Sequence, residues 1–263
     1  MKTDLKDVTF IIPIRLDSII RLENLIAAVK HLRKYFDTNI TILEASNYNN
    51  RFIPKLLGKD IKYIFIEDRD KVFYRTKYLN YMSTSTNTPY IGIWDSDVIV
   101  HQQQIIDSIT HLRSKEYDIA YPYEKSFLDT GFIIRELYLQ KKQISVLERH
   151  KAKMCLLYGE IMLGGAIFVN REKYAQSGFE NENFYGWGPE DGERYYRWKA
   201  LDYKIYRSKG ELFHLTHPRD KNGQLRSKPQ SNKMMNELLD NVACSKKEMM
   251  EKCKEWIKYE NLK

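Results

Sequence analysis

Within the first hundred residues, short runs of β-branched and aromatic residues alternate with segments of helical period, and that alternation limits the fold more than any other feature. VTFIIPI (8–14), ITILEA (40–45) and IKYIFIE (61–67) are predicted strands, and TPYIGIWDSDVIV (88–100) is a buried strand interrupted by acids. Between them, SIIRLENLIAAVKHLRKYF (18–36) carries apolar residues at three- and four-residue intervals, and KVFYRTKYLNYMSTST (71–86) has a helical pattern. A strand–helix–strand chain of this kind builds a parallel sheet with helices on both faces, and a nucleotide-binding half is the natural expectation.

The second half is less regular. HQQQIIDSITHLRSK (101–115) and FIIRELYLQKKQISVLERH (132–150) read as helices, GGAIFVN (164–170) and YKIYRS (203–208) as strands, and residues 231–260 as one or two terminal helices. HPRDKNGQLRSKPQSN (217–232) is a charged stretch broken by Gly223 and Pro229; loops of that length inside a compact domain are usually lids or disordered segments. A chain of 263 residues accommodates one large α/β domain with a helical appendage. No stretch approaches the length of a membrane span, and MKTDLKDVTFIIPI places acids before a short apolar run without a small-residue cleavage site, so a cytoplasmic location is expected. Cys155, Cys244 and Cys253 show no CxxC spacing and suggest neither a disulfide framework nor a zinc site. A formal charge of +8 suits nucleic acid, an anionic membrane surface or phosphorylated ligands. No RRM, zinc-finger or helix-turn-helix pattern accompanies it, so no nucleic-acid partner is expected.

Three short segments carry chemistry. In IGIWDSD (91–97) two acids close an apolar strand, where burying them without a cation or donors is costly. In an open α/β sheet the ligand crevice lies beyond the carboxyl ends of the strands, which is where Asp95 and Asp97 fall. Alternate residues of an extended chain face the same way, so the pair can share one cation–diphosphate unit; equally, Asp95 can be a turn cap. In HLTH (214–217), His214 and His217 stand three apart after a strand-like ELF, and a helical or tight turn there lets both rings reach one ion. Carboxylate with imidazole suits a borderline divalent cation such as manganese better than magnesium, which prefers all-oxygen surroundings. Taken singly, the same histidines are ordinary core or surface side chains. In FYGWGPEDGERYYRW (184–198), Gly186, Gly188 and Pro189 oppose regular structure and a helix follows at once, placing Glu190 and Asp191 at a loop-to-helix junction. Carboxylates there either complement the helix macrodipole or accept a proton from an attacking hydroxyl, while Trp187 offers a flat apolar face to a sugar ring.

In their order along the chain, FYRTKYLN (73–80), WDSDVIV (94–100), LGGAIFVNREKYAQSGFENENFYGWGPEDGERYYR (163–197) and HLTHPRDKNG (214–223) resemble the catalytic domain of the β-1,4-galactosyltransferase family. That family carries a Phe-Asn-Arg-Ala-Lys segment, an Asp-Val-Asp metal motif, a Gly-Gly strand, Trp-Gly-Trp-Gly-Gly-Glu-Asp-Asp-Asp, and His-Ser-Arg-Asp-Lys-Lys-Asn. The likeness extends to bacterial capsule and chondroitin-type polymerase transferases and spans roughly residues 8–225. It implies a GT-A fold, a Rossmann-like α/β arrangement with a mixed or parallel sheet flanked by helices. Residues 1–230 would form the catalytic domain, with 1–100 as its nucleotide-sugar-binding half and 101–230 as its acceptor-binding half, and 231–263 a C-terminal helical extension.

The resemblance also assigns residues. Asp97, His214 and His217 would bind manganese or another divalent cation together with the diphosphate of a UDP-sugar. Pro13, Arg15, Phe73 and Arg75 would hold uridine and diphosphate, Asp95 would lie near the donor sugar and ribose, and Met162, Gly164 and Gly165 would line the donor pocket. Asp191 would be the catalytic base, with Trp187 and Glu190 gripping the acceptor. The implied activity is inverting transfer of a hexose to a glycan or lipid-linked oligosaccharide in bacterial capsule, O-antigen or similar synthesis, compatible with a peripheral contact at the inner membrane. The Trp187 loop, swinging on Gly186 and Gly188, and residues 217–232 would close over the donor. Pro189 replaces a family glycine and stiffens the loop, and Gly192 replaces a third acid that helps hold acceptor. Met162 replaces a tyrosine that crowds the donor's C2 substituent, so galactose and N-acetylgalactosamine both stay open. Two other classes remain: a metal-dependent nucleotide-sugar hydrolase or nucleotidyltransferase, although IIPIRLDS lacks the glycines of a phosphate loop, and a non-catalytic carbohydrate-binding module on a transferase scaffold.

Overall fold

A computed structural model describes residues 1–159, 162–218 and 227–256. Along the chain, β1 (Thr3–Ile14), α1 (Ile19–Tyr35), β2 (Phe36–Ser46), α2 (Phe52–Leu57), β3 (Lys62–Glu67), α3 (Arg75–Thr84) and β4 (Tyr90–Trp94) come first. Then follow β5 (Val98–Val100), α4 (Gln102–Arg113), β6 (Ile119–Tyr121), β7 (Phe127–Asp129), α5 (Gly131–Lys141), α6 (Ile144–His150), β8 (Cys155–Leu156) and β9 (Ala166–Asn170). The last elements are α7 (Arg171–Gln176), α8 (Glu190–Ala200), β10 (Ile205–Arg207), β11 (Leu212–His214), α9 (Lys228–Val242) and α10 (Lys246–Trp256).

Seven strands form the main sheet in the order β10-β6-β9-β4-β1-β2-β3. β1 lies inside it, parallel to both β2 and β4, and residues 8–14 are buried without interruption, as expected of a strand covered on both faces. Ser18 opens α1 by accepting the Arg21 amide on its hydroxyl, and Leu25, Val29 and Leu32 recur on the face that α1 buries. In the middle of the sheet, Phe10 meets Trp94 and Phe168 edge to face at centroid distances of 5.1 and 5.5 Å.

The sheet is mixed, one of the two forms expected, because β9 runs antiparallel to both β4 and β6. Elsewhere the structure departs from the sequence expectations. The segment 88–100 is two strands, β4 in the main sheet and β5 in a four-stranded sheet of order β5-β11-β7-β8, and the break falls on Asp95–Asp97. The segment 132–150 is two helices, because Lys142 takes the left-handed conformation at φ 54° and ends α5. No helix among the described residues is long and apolar enough to cross a membrane.

Candidate active site

The carboxyl end of β4 is where the two sheets part. The Asp95 amide donates to the Gly165 carbonyl at 2.8 Å, and two residues on the Asp97 carbonyl accepts from the Leu215 amide at 2.7 Å. These bonds to two distant segments fix where both acids stand. The main sheet thus holds one acid and the small sheet the other.

β11 delivers His214 opposite Asp97, and His217 follows from the segment beyond it. Asp97 Oδ2 lies 3.0 Å from His217 Nε2 and 3.8 Å from His214 Nε2. Each ring's other nitrogen is engaged, His214 Nδ1 with Asp129 Oδ1 at 2.7 Å and His217 Nδ1 with the Pro218 carbonyl at 2.9 Å. Asp129 faces His214 because the two are partners in the β7–β11 register. Burial works against ionising Asp97, but His214, His217 and Arg21 outweigh it and hold the carboxyl well below the usual range. Burial likewise opposes a charged His217, and the hydrogen bond and charge of Asp97 overcome it, raising that imidazole above its ordinary value. The ligand atoms of Asp97, His214 and His217 all lie within 4.8 Å of one another. One carboxylate oxygen and two imidazole nitrogens, one ring oriented by a further carboxylate, make a donor set that fits a borderline divalent cation.

Facing this cluster are Arg75 and Asp191. Arg75 Nη2 holds Asp95 Oδ1 at 2.7 Å, and its Nη1 lies 3.7 Å from Asp191 Oδ1. That Nη1 is buried and makes no hydrogen bond among the described residues, which marks it as a donor for a ligand. Burial, with Asp97 and Asp191 nearby, raises the Asp95 carboxyl against the pull of Arg75. Asp191 sits in the first turn of α8, and Arg194 one turn later holds its Oδ1 at 2.5 Å. Arg194 is itself wholly buried, bonded to both oxygens of Glu180 at 2.7 and 2.9 Å, and Glu180 also accepts the Tyr174 hydroxyl at 2.5 Å. A Cβ at Gly164 would fall 2.1 Å from Asp191 Oδ2, so the carboxylate fills the space a side chain there would need.

Glu190 turns inward and its Oε2 accepts the Gly188 amide at 3.1 Å. Burial, reinforced by the charge of Asp191, pushes its carboxyl up to about 8, which favours its protonated form. Trp187, 38% exposed, stands with its ring centroid 6.1 Å from that of Tyr158 at the mouth.

These groups border one cleft of about 200 Å³, and it takes in every residue that the sequence singled out: Pro13, Arg15, Phe73, Arg75, Asp95, Asp97, Met162, Gly164, Gly165, Trp187, Glu190, Asp191, His214 and His217. Arg15 is already engaged there. Its donors go to Asp68 and to the carbonyls of Ala45 and Asp70, and its guanidinium lies 5.5 Å from the Phe73 centroid. Sequence reasoning missed Asp129, Arg194, Glu180, Arg21 and Tyr158. The i,i+3 spacing of Asp191 and Arg194 was a usable signal; Asp129, in a strand of three residues, offered none. Of the expected second lid, residues 219–226 lie outside the described residues.

Residues 148–221 match a family model described as the N-terminal domain of galactosyltransferase. No curated protein matches the chain. Among solved structures, the catalytic domain of Drosophila β1,4-galactosyltransferase 7 in complex with xylobiose is 16% identical, with 85% of this chain and 76% of that one covered and a TM-score of 0.52. A mutant of the same Drosophila enzyme, in complex with manganese, UDP-Gal and xylobiose, is 15% identical over 86% and 78% of the two chains, with a TM-score of 0.53. A mycobacterial protein is 13% identical over 89% and 74%, also at 0.53. The chain therefore has the GT-A-type fold of glycosyltransferase catalytic domains, and its central segment resembles the galactosyltransferases in sequence.

Proposed function

We propose that this protein is an inverting, metal-dependent glycosyltransferase that moves a hexose, galactose or N-acetylgalactosamine, from a UDP-sugar to a glycan hydroxyl. The observation that carries the proposal is the facing arrangement in one cleft: a carboxylate–imidazole cluster on the small sheet and, across from it, Asp191 tethered by a buried arginine. Support also comes from the manganese, UDP-Gal and xylobiose held by the Drosophila neighbour. The setting we propose is bacterial capsule, O-antigen or related glycan synthesis in the cytoplasm, with a glycan or lipid-linked acceptor.

Each residue has a chemical task. Asp97, His214 and His217 would hold a divalent ion, which would supply positive charge to offset that of the departing diphosphate. Arg75 directs Nη1, which makes no hydrogen bond among the described residues, at the donor, while Arg15, balanced by Asp68, orders the Phe73 platform beside the nucleoside. Asp191 takes the acceptor's hydroxyl proton through Oδ2, because Arg194 holds Oδ1. As that oxygen bonds to the anomeric carbon, the bond to diphosphate breaks and UDP leaves on the opposite face, which inverts the centre. Glu190, in its protonated form, donates a hydrogen bond to the acceptor, and Trp187 with Tyr158 supplies apolar faces for its ring. The thioether of Met162 leaves room for either C2 substituent.

The test is a screen of UDP-sugars with Mn²⁺, following UDP release with and without acceptor glycans. Release that depends on acceptor is the expected result; release without it would indicate a hydrolase, and no release a binding module. Asp191→Asn should leave Mn²⁺–UDP binding intact and cut turnover about a hundredfold or more.

A further inference from the structure

The C-terminal helices have no task in the mechanism, yet one face of α9 packs largely on the segment around Glu190 and Asp191. Gln230 donates its side-chain amide to the Tyr185 carbonyl. Met234, 2% exposed, lies under Gly188, where an added Cβ would meet its Sδ at 2.8 Å and its Cε at 2.9 Å. Glu237 Oε1 accepts from Asn181 Nδ2 at 2.7 Å and Asn183 Nδ2 at 3.1 Å, and Asn241 Nδ2 reaches Glu193 Oε1 at 3.3 Å. Positions 230, 234, 237 and 241 fall on one helical stripe.

The opposite side of the same loop is equally occupied. The Tyr185 ring meets Tyr74 edge to face at 5.0 Å, and the Phe184 carbonyl accepts the Thr76 hydroxyl at 3.1 Å. Gly186 has φ +88°, and a Cβ on it would lie 2.8 Å from Val72 Cγ1. Gly186 and Gly188 are therefore small because protein packs against them on two sides, Val72 on one and Met234 on the other. The sequence expectation gave the pair a different task, letting the Trp187 loop swing once donor is bound.

We propose that α9 is a brace that sets the position of the Trp187 loop and through it the acceptor side of the cleft, with Gln230, Met234 and Glu237 as positioning residues. The assignment of Trp187 to an acceptor rests on the function proposed above; the bracing itself does not. A loop ordered before the acceptor arrives spares binding the cost of ordering it. Met234, unbranched and polarisable, is a residue that can follow small shifts of the loop while keeping contact.

The test uses the full chain labelled with 5-fluorotryptophan. Its four tryptophans give four ¹⁹F lines, and Trp187→Phe assigns the one of interest. Gln230→Ala and Met234→Ala should shift the Trp187 line or broaden it about twofold or more, and Met234→Leu should restore it. The lines of Trp94 and Trp198, both fully buried, should stay in place, and the Mn²⁺–UDP dissociation constant should remain within about threefold of wild type. Gln230→Ala removes one hydrogen bond near the surface, so its result stands even where Met234→Ala fails to fold. A Trp187 line unmoved by Gln230→Ala, or one that moves only together with Trp94 and Trp198, overturns the brace. A wild-type protein that binds no Mn²⁺–UDP overturns the proposed function instead, and leaves the ¹⁹F result to decide the brace.

Discussion

Gly164→Ala is the smallest change that should separate chemistry from folding in this protein. Gly164 has no positive φ, so alanine brings no backbone strain, and the whole effect comes from one methyl meeting one carboxylate. The methyl would lie 2.1 Å from Asp191 Oδ2 and 2.7 Å from its Cγ. Restoring ordinary contact requires the carboxylate to withdraw by roughly 1.3 Å. Asp191 has room to do so, since its side chain is 29% exposed, and the cost to stability should stay near the low end of overpacking, about 1 kcal/mol. Displacing the base proposed above by that much should lower kcat about a hundredfold. The assay is UDP release with the donor and acceptor found by the screen, run beside a Mn²⁺–UDP titration that should change less than about threefold. Because the methyl acts through Asp191, adding Gly164→Ala to Asp191→Asn should cost nothing further. Losses that multiply in full in the double variant, or a Gly164→Ala enzyme with wild-type kcat, would refute the reasoning.

Other expectations are as direct. Asp129→Asn keeps an acceptor for His214 Nδ1 but removes its charge, and should weaken Mn²⁺ binding about ten- to a hundredfold by titration calorimetry; an unchanged affinity would dismiss Asp129 as an orienting group. Glu190 binds its proton more tightly folded than unfolded, so the stability it contributes is present below about pH 4.5 and is lost as pH rises through about 8. Denaturant melts should therefore show wild type losing ground to Glu190→Gln between pH 5 and 8 and running parallel to it above; a constant difference would mean that Glu190 titrates normally. Arg194→Met strands the buried Glu180 carboxylate and should destabilise the fold by about 3–5 kcal/mol in urea, whereas a loss below about 1 kcal/mol would contradict the pairing described.

What could be read in the sequence divides along physical lines. Strand and helix identity came through where the period was long, as in α1 and β1, because local burial sets the pattern. The direction of β9 did not, since its place between β4 and β6 is decided by pairing with residues far along the chain. The split of 88–100 into two strands was written in Asp95 and Asp97, two acids that a continuous buried strand would not tolerate. The cleft's lining residues were found because their types and order are unusual together, whereas Arg194 and Glu180 look like any helical or loop charge until burial is known. The C-terminal helices were visible as helices, but their contact with residues 181–193 depends on a packing partner that no periodicity encodes.

The passage from Trp94 to Val98 has a thermal consequence as well. His214 and Asp129 belong to the smaller sheet and Asp97 stands just before its strand β5, while the Asp95 amide bonds Gly165 just before β9 of the larger one, and Ser96 is the single residue between the two acids. A cation seated at Asp97, His214 and His217 would tie the turn between β4 and β5 to the end of β11, and saturating it a hundredfold over its dissociation constant is worth about 2.7 kcal/mol to the native state. Manganese should then lift the melting temperature of the protein in the complete absence of any sugar nucleotide.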